Sequence, residues 1–308
     1  MPTIRQFEYL VALADLKHFG RAATATHCSQ PTLSHQIGVL EKQLSVKLIE
    51  RGASPVELTP IGREIAQRAQ RVLAGVRDIR ELATRAQSGM SGTLRFGVSP
   101  TLGPYLLPPI IALLHAEHPD LRFYIREGIP DDQSRELSRG GLDLLLGPLP
   151  MNGIDLEIEP LFRERLLVVC TSDHPLAARS NLTTADLNGA DILSLDPRHH
   201  YHHQIASLCA EFGANLIPDY EGTSLDSLRQ MVASGLGMAI LPEFYLYSEA
   251  GGKAGIKVLD IKKWTATRSI GMGWRQGSAY RDAYRDVAKR IQTEAQRLLK
   301  MHSGSLFQ

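Results

Sequence analysis

The sequence is poor in cysteine, and what it lacks removes several classes of protein at once. Its 308 residues hold three cysteines, Cys28, Cys170 and Cys209, whereas secreted disulfide frameworks use dense, even sets. No apolar run approaches the roughly 20 residues that span a bilayer. The opening string MPTIRQFEYLVAL has no basic-then-apolar signal region. A cytoplasmic protein without a membrane partner is the expectation. There is no P-loop, no G-x-S-x-G elbow and no H-E-x-x-H string. The glycines of GGLDLLLG and SGLGMAIL do not make a dinucleotide fingerprint. Neither an enzyme nor a cofactor or metal is expected. Charge is scarce too: a net +1 argues at first sight against a nucleic-acid partner.

What is present changes that view. At 43% apolar and 22% charged residues the composition is that of an ordinary soluble protein, long enough for two or three domains. Residues 1–90 carry 12 basic against 8 acidic residues, a charge of +4, and the remainder carries −3. A basic first third is joined to a mildly acidic body.

Within the basic third, Ile4, Phe7, Leu10, Val11 and Ala14 recur at helical spacing. Ala22 and Ala23 are small enough to let a second helix approach. Ser29 then caps a third helix, SQPTLSHQIGVLEKQL, with Pro31 in its first turn and Leu33, Ile37, Leu40 and Leu44 as its buried stripe. Gln30, Thr32, Ser34 and His35 are left on its free N-terminal face. Short helices joined by a tight turn fit a helix-turn-helix as well as a plain helical bundle. The segment VKLIERGASPVELTPIGREI follows as two extended stretches around a Gly/Ser/Pro turn, a wing, and then a long helix after Thr59-Pro60. From Ile61 to about Gln87, Ile61, Ile65, Ala69, Val72, Val76, Ile79, Leu82 and Ala86 form a near-heptad seam suited to pairing with a second subunit. SGMSG (88–92) ends it as a hinge.

This third resembles the LysR-type transcriptional regulators. The matching residues are Phe19 with Arg21-Ala22-Ala23, Ser29-Gln30-Pro31-Thr32-Leu33-Ser34, Gln36-Ile37, Leu40-Glu41, Leu48-Ile49-Glu50-Arg51, Leu58-Thr59 and Gly62. The resemblance implies α/β architecture with an N-terminal all-α winged helix-turn-helix (1–59), a linker and dimerisation helix with hinge (60–90), and a two-lobed, periplasmic-binding-protein-like effector domain (91–301). Lobe I would comprise about 91–164 and 267–301, and lobe II about 165–266. It implies double-stranded promoter or operator DNA as partner, self-association into a dimer or tetramer, and RNA polymerase as a further contact. Gln30, Pro31, Thr32, Ser34 and His35 would face the major groove, where Gln30 can pair bidentately with adenine. Arg51 and Ser54 in the wing would reach phosphates or the minor groove. Many relatives carry two basic residues where this chain has Ser54 and Pro55, so phosphate attraction per subunit is expected to be weak. Cys28 reads as a small buried residue before the recognition helix.

From Thr93 the texture becomes strand–helix alternation. Strands are expected at 94–98, 121–127, 142–147, 165–170, 191–195, 238–241 and 268–274, with helices at 104–117, 131–139, 201–212 and 224–234. This pattern predicts α/β units around mainly parallel sheets. Ser99 and Thr101 fall where a strand gives way to a helix, and Thr223 and Ser224 do the same in the second lobe. Two helix N-termini facing a cleft would suit a small, anionic effector; the same hydroxyls would also serve simply as caps.

The strings SPTLGPYLLP, TSLDSLRQMVASGLGMAILP, SIGMGWRQGS and DHPLA resemble one branch of the family, the OxyR-type peroxide sensors. That branch uses a thiol in a Gly-His-Cys string and a second cysteine nine residues on. Cys209 fits the second position, but His200 stands at the first, beside His199, so the peroxide-reactive thiol is absent. The string from Arg198 through His199, His200, Tyr201, His202 and His203 admits three readings: effector contact by Arg198, His199 and His200, a metal site, or loop residues with no joint role. A thiol- or metal-responsive regulator using Cys209 with Cys170 or the His199–His203 run is the alternative, and a solute-binding protein is the competitor from another class.

Overall fold

The computed structural model describes every residue except 51–54, 89–91, 154, 249–254 and 303–308, with side chains also undescribed at 78, 81, 82, 84–88, 219 and 302. The chain forms two compact units. The first is Met1–Gln87 with Ser138–Gly140, and the second holds Ser88–Leu137 and Gly141–Gln308. Among the described residues no helix is long and apolar enough to cross a membrane.

The first unit opens with α1 (Ile4–Leu16), α2 (Phe19–Ala25) and α3 (Gln30–Leu44). Each starts on a side-chain cap that accepts free backbone N–H groups: Thr3 in a capping box with Gln6, the His18 imidazole, and Ser29. The buried faces meet around Leu10, Leu13, Ala22, Leu33, Ile37 and Leu40. After α3 the chain turns back as an antiparallel bridge between Ile49 and Leu58, with Glu50 N–H donating to Glu57 O at 2.9 Å. Glu41 of α3 pins this ribbon by accepting from Leu48 N–H (2.8 Å) and Ile49 N–H (3.3 Å). The ribbon's tip, including Arg51 and Ser54, lies outside the described residues, as does most of the 88–92 hinge. Then comes α4 (Pro60–Ser88), 29 residues long. Gly62 in its first turn lies so close to Leu48 that an added Cβ would stand 2.2 Å from the Leu48 carbonyl oxygen.

The second unit contains β1 (Gly92–Val98), α5 (Gly103–Glu117), β2 (Leu121–Glu127), α6 (Pro130–Ser138), β3 (Leu144–Pro148), β4 (Leu156–Thr171) and β5 (Asp191–Leu195). After these come α7 (His200–Phe212), β6 (Asn215–Gly222), α8 (Leu225–Ala233), β7 (Ala239–Pro242), α9 (Glu243–Tyr247), β8 (Ile256–Val258), β9 (Thr267–Arg275) and α10 (Arg281–His302). The main sheet runs β2-β1-β3-β9-β4-β7, with β8 also on β4, and β5 pairs with β6. Two apolar cores result. One lies under β1, β3, α5 and α10 around Phe96, Leu106, Ile110, Trp274 and Ile291. The other surrounds Val168, Leu193, Tyr201, Leu228 and Ile240.

The sheets are less parallel than strand–helix alternation predicts. Among the described strand pairs β1–β2, β1–β3 and β5–β6 are parallel, as are the isolated bridges Leu182–Ile261 and Ile192–Met238. β9 is antiparallel to β3 and β4, and β7 and β8 are antiparallel to β4. The cause is β4 itself. It continues from the first core into the second, and β9 returns beside it in the opposite direction, so both connections between the cores are strands of one ladder. A Gly62→Ala substitution is expected to cost about 1–3 kcal/mol, the usual range for overpacking. Denaturant unfolding followed by helix signal checks this, and an unchanged midpoint would show that the α4–ribbon approach tolerates a methyl group.

Candidate nucleic-acid interface and effector cleft

In the first unit, the sequence places short polar residues at the start of α3, and the structure leaves them uncovered. Gln30, Pro31, Thr32, Ser34 and His35 are all exposed, while Leu33, Ile37 and Leu40 on the opposite face are buried. Ser29 Oγ accepts from Thr32 N–H (3.3 Å) and bonds to Thr32 Oγ1 (2.8 Å), which holds the first turn in shape. Gln36, one turn further, accepts from the buried Gln6 amide at 3.1 Å and so fixes α3 against α1. A protruding helix end bearing amides and hydroxyls has the size and chemistry to enter a major groove. Two cations of this unit are paired at its surface, Lys17 with Glu57 and Lys47 with Glu41. Cys28 is half-buried, with its sulfur 3.5 Å from Thr26 Oγ1.

In the second unit a cavity of about 450 Å³ lies between the two cores. From the first core's side it is lined by Pro100, Pro104, Tyr105, Glu127, Gly128 and Ile129. Arg198, His199, Thr223, Ser224 and Asp226 line it from the other. Tyr105 on α5 reaches across to α8, donating from its hydroxyl to Asp226 Oδ2 (3.2 Å) and meeting the Tyr245 ring edge-on at 5.0 Å. Tyr245 donates to the other Asp226 oxygen at 3.3 Å.

Four of the expected effector residues, Arg198, His199, Thr223 and Ser224, meet at this cavity. Three do not. Ser99 and Thr101 are buried, and Thr101, only 1% exposed, accepts from Arg268 at both its hydroxyl (2.7 Å) and its carbonyl (2.8 Å). Ser99 Oγ is turned to Thr101 Oγ1 at 3.0 Å. The strand-to-helix corner is therefore occupied by an internal cation, and prolines rather than N–H donors face the cavity there. His200 opens α7 half-buried and does not line the cavity; burial, with His203 nearby, lowers its pKa. On the far side Ser224 spends its hydroxyl capping Asp226 and Ser227 N–H (3.1 and 3.4 Å). The first corner is thus taken up internally, whereas at the second helix end the exposed Thr223 hydroxyl bonds to no described residue.

Arg198 is also engaged. Its guanidinium and backbone N–H both bond to Asp196, holding that carboxyl well below the usual range. His199 differs from its neighbours. It is 5% exposed, lines the cavity, and its ring bonds to no described residue. Burial lowers its pKa, so the imidazole is neutral near pH 7. His202 Nδ1 is 2.9 Å from Leu195 O, and among the described residues no group of His, Cys, Asp or Glu has a metal-binding arrangement.

Sequence reasoning missed Tyr105, Glu127 and, above all, Arg268. Glu127 ends β2 at the cleft side, a position strand polarity alone could have suggested. Arg268, on β9, donates to Glu164 Oε1 of β4 at 2.7 Å while holding Thr101, and Glu164 Oε2 accepts from Phe244 N–H at 3.2 Å. Nothing in local pattern announces a pairing across 167 positions.

Family comparison agrees with both halves. Residues 4–63 match the bacterial regulatory helix-turn-helix protein, lysR family, and residues 87–296 match the LysR substrate binding domain. The chain belongs to the LysR family of DNA-binding transcriptional regulators. Among its relatives, the DNA-binding transcriptional dual regulator OxyR of Escherichia coli K12 is 39% identical over 288 residues, covering 94% of each chain. The hydrogen peroxide-inducible genes activator of Haemophilus influenzae is 36% identical over 297 residues, covering 96% of this chain and 98% of that one. Among solved structures, a full-length OxyR variant from Pseudomonas aeruginosa superimposes with a TM-score of 0.75 at 34% identity, covering 95% of both chains. A hydrogen-peroxide-bound OxyR variant from Corynebacterium glutamicum gives 0.67 at 31%, covering 100% of this chain and 97% of that one.

The cysteines bear on that likeness. Cys170 and Cys209 are buried and unpaired, and desolvation pushes both thiols up to about 11. Protonated, inaccessible thiols are poor nucleophiles toward peroxide. Native protein exposed to hydrogen peroxide should show no Cys170–Cys209 disulfide by mass spectrometry, and both thiols should resist aromatic disulfide reagents until the protein unfolds. A rapid Cys170–Cys209 bond would overturn this.

Proposed function

We propose that the protein is a homo-oligomeric, cytoplasmic regulator that reads operator DNA through the exposed end of α3 and is switched by a small molecule in the inter-lobe cleft. The observation that carries the switch is His199, a buried imidazole left unpartnered at the wall of a cavity between two separately packed cores. Gln30, Pro31, Thr32, Ser34 and His35 supply base contacts, and Arg51 with Ser54 in the wing supplies the backbone contact. Closure of the cleft around a ligand changes the arrangement of subunits on DNA and thereby contact with RNA polymerase. Such coupling requires the ligand to favour one closure state energetically. Relatives bear the name hydrogen peroxide-inducible genes activator; the buried, high-pKa thiols of this chain argue against peroxide sensing by a thiol–disulfide route.

Self-association rests on α4. Ile61, Val72 and Ile79 lie exposed along the seam, Ile79 at 68%, an unusual state for large aliphatic side chains at heptad-like spacing. Weak phosphate attraction per subunit then makes pairing on one operator necessary for tight binding.

Three measurements test this reading. Gln30→Ala with Ser34→Ala should weaken specific operator binding by about 10-fold or more, at roughly 1–3 kcal/mol per base-reading pair, with the oligomer intact; unchanged specificity would remove α3 as reader. Val72→Glu with Ile79→Glu should shift sedimentation toward monomer, and a persistent dimer would place the interface elsewhere. A thermal-shift screen of small acids, amines, oxyanions and peroxide should be run on wild type and on His199→Trp, which fills the cavity. A compound that stabilises only the wild type locates the effector in the cleft; stabilisation that survives the substitution sends the site elsewhere.

A further inference from the structure

Two carboxylates, Glu127 and Asp226, face this cavity, beside the hydroxyls of Tyr105, Thr223 and Ser224, the His199 imidazole and the paired Arg198. Resting on the cleft reading above, we infer that the effector is a compact organic cation, with an ammonium, amidinium or guanidinium head held by Glu127 and Asp226 and a small apolar body against Pro100, Pro104 and Ile129.

Glu127 lines the cavity from the end of β2, and its carboxylate bonds to no described residue. Asp226 faces it from α8 and takes one long hydroxyl bond on each oxygen, at 3.2 and 3.3 Å, which leaves lone pairs on both. Tyr105 stands between these acids and feels the charge of each. The single basic group on the wall is Arg198, and it is folded onto Asp196 at 2.8 Å, with Asp132 and Glu221 also near it. Arg229, one turn beyond Asp226, lies beside Tyr245 and does not line the cavity. The wall therefore carries two carboxylates against one arginine that is already paired with Asp196, a balance that favours a cation over an anion.

The second observation is independent of those acids. His199 is nine-tenths buried, unpartnered and set in the wall, and as a neutral imidazole it offers an acceptor without opposing positive charge. Its ring nitrogens are open to the cavity, and one of them can accept a ligand N–H. Two carboxylates and an imidazole on a wall that also carries two prolines, a tyrosine and an isoleucine match a cationic head on a small ring. The volume of about 450 Å³ is that of a small-molecule site.

The test uses the full chain and matched probes: benzylammonium and benzamidinium, their anionic counterparts benzoate and phenylacetate, and neutral benzyl alcohol. By calorimetry and thermal shift, the two cations should bind and raise the midpoint. Glu127→Gln and Asp226→Asn should each weaken cation binding about tenfold or more, the scale of one charge-assisted hydrogen bond. Circular dichroism confirms that each variant folds. Preferential binding of benzoate or phenylacetate, weakened by His199→Ala, would overturn the cationic class and leave the cleft as the effector site. Cation binding that survives both acid substitutions would also overturn it. Binding of no probe would overturn the inference too, and the comparison of wild type with His199→Trp then judges the cleft separately.

Discussion

The second unit depends on one buried ion pair. Glu164 leaves the first core on β4, Arg268 returns to it on β9, and the two meet where the strands pass between cores. Removing both charges from water is expensive, and such a pair persists only when its remaining donors and acceptors are also filled. Here they are: Arg268 uses its other nitrogens on Thr101, and Glu164 takes the Phe244 N–H. Phe244 packs into the first core while its neighbour Tyr245 packs into the second, so the short α9 is held across the same junction. One ionic cluster thus fixes the corner after β1, both crossing strands and α9.

That constraint decides the chemistry of the cleft. Because Thr101 serves Arg268, the hydroxyls at the β1–α5 corner are withdrawn, and Pro100, Pro104 and Tyr105 face the cavity instead. Tyr105 then reaches Asp226, a hydrogen bond that opening of the lobes must break. The cleft is left with two carboxylates, an imidazole, the Thr223 and Ser224 hydroxyls, the paired Arg198 and an apolar floor. The first unit obeys a different rule. Its surface ion pairs, such as Lys17–Glu57 and Lys47–Glu41, contribute little to stability, and its exposed α3 end carries uncharged polar side chains.

Much of this was legible in the sequence, for reasons that can be named. The start of α3 was marked by Ser29 and Pro31, and its buried stripe by a clean helical period. β5 was a bounded apolar run, Asp191–Leu195, and α7 ended at Gly213, which adopts the left-handed conformation expected of a helix terminus. Other elements were hidden by their own chemistry. β6 was not expected because it contains Pro218 and acidic residues, which weaken a strand pattern but are tolerated at the edge of a two-stranded sheet. The first half of β4 carries Glu157, Glu159 and Pro160 and slips register between Pro160 and Phe162, so only its apolar second half looked like a strand. At the cleft, residue type and helix position were visible, whereas the prior claim of Arg268 on Thr101 was not. Pairings across long separations follow from topology, which a period or a cap does not encode.

The central claim is that cleft occupancy and DNA binding are coupled in one molecule, and linkage makes that claim measurable. The affinity of the full-length protein for a cleft ligand should be measured with and without saturating operator DNA, and operator affinity with and without that ligand. The account predicts that the two affinities change by the same factor, because coupling free energy is reciprocal. A ligand that occupies the cleft and leaves both operator affinity and footprint unaltered would contradict it.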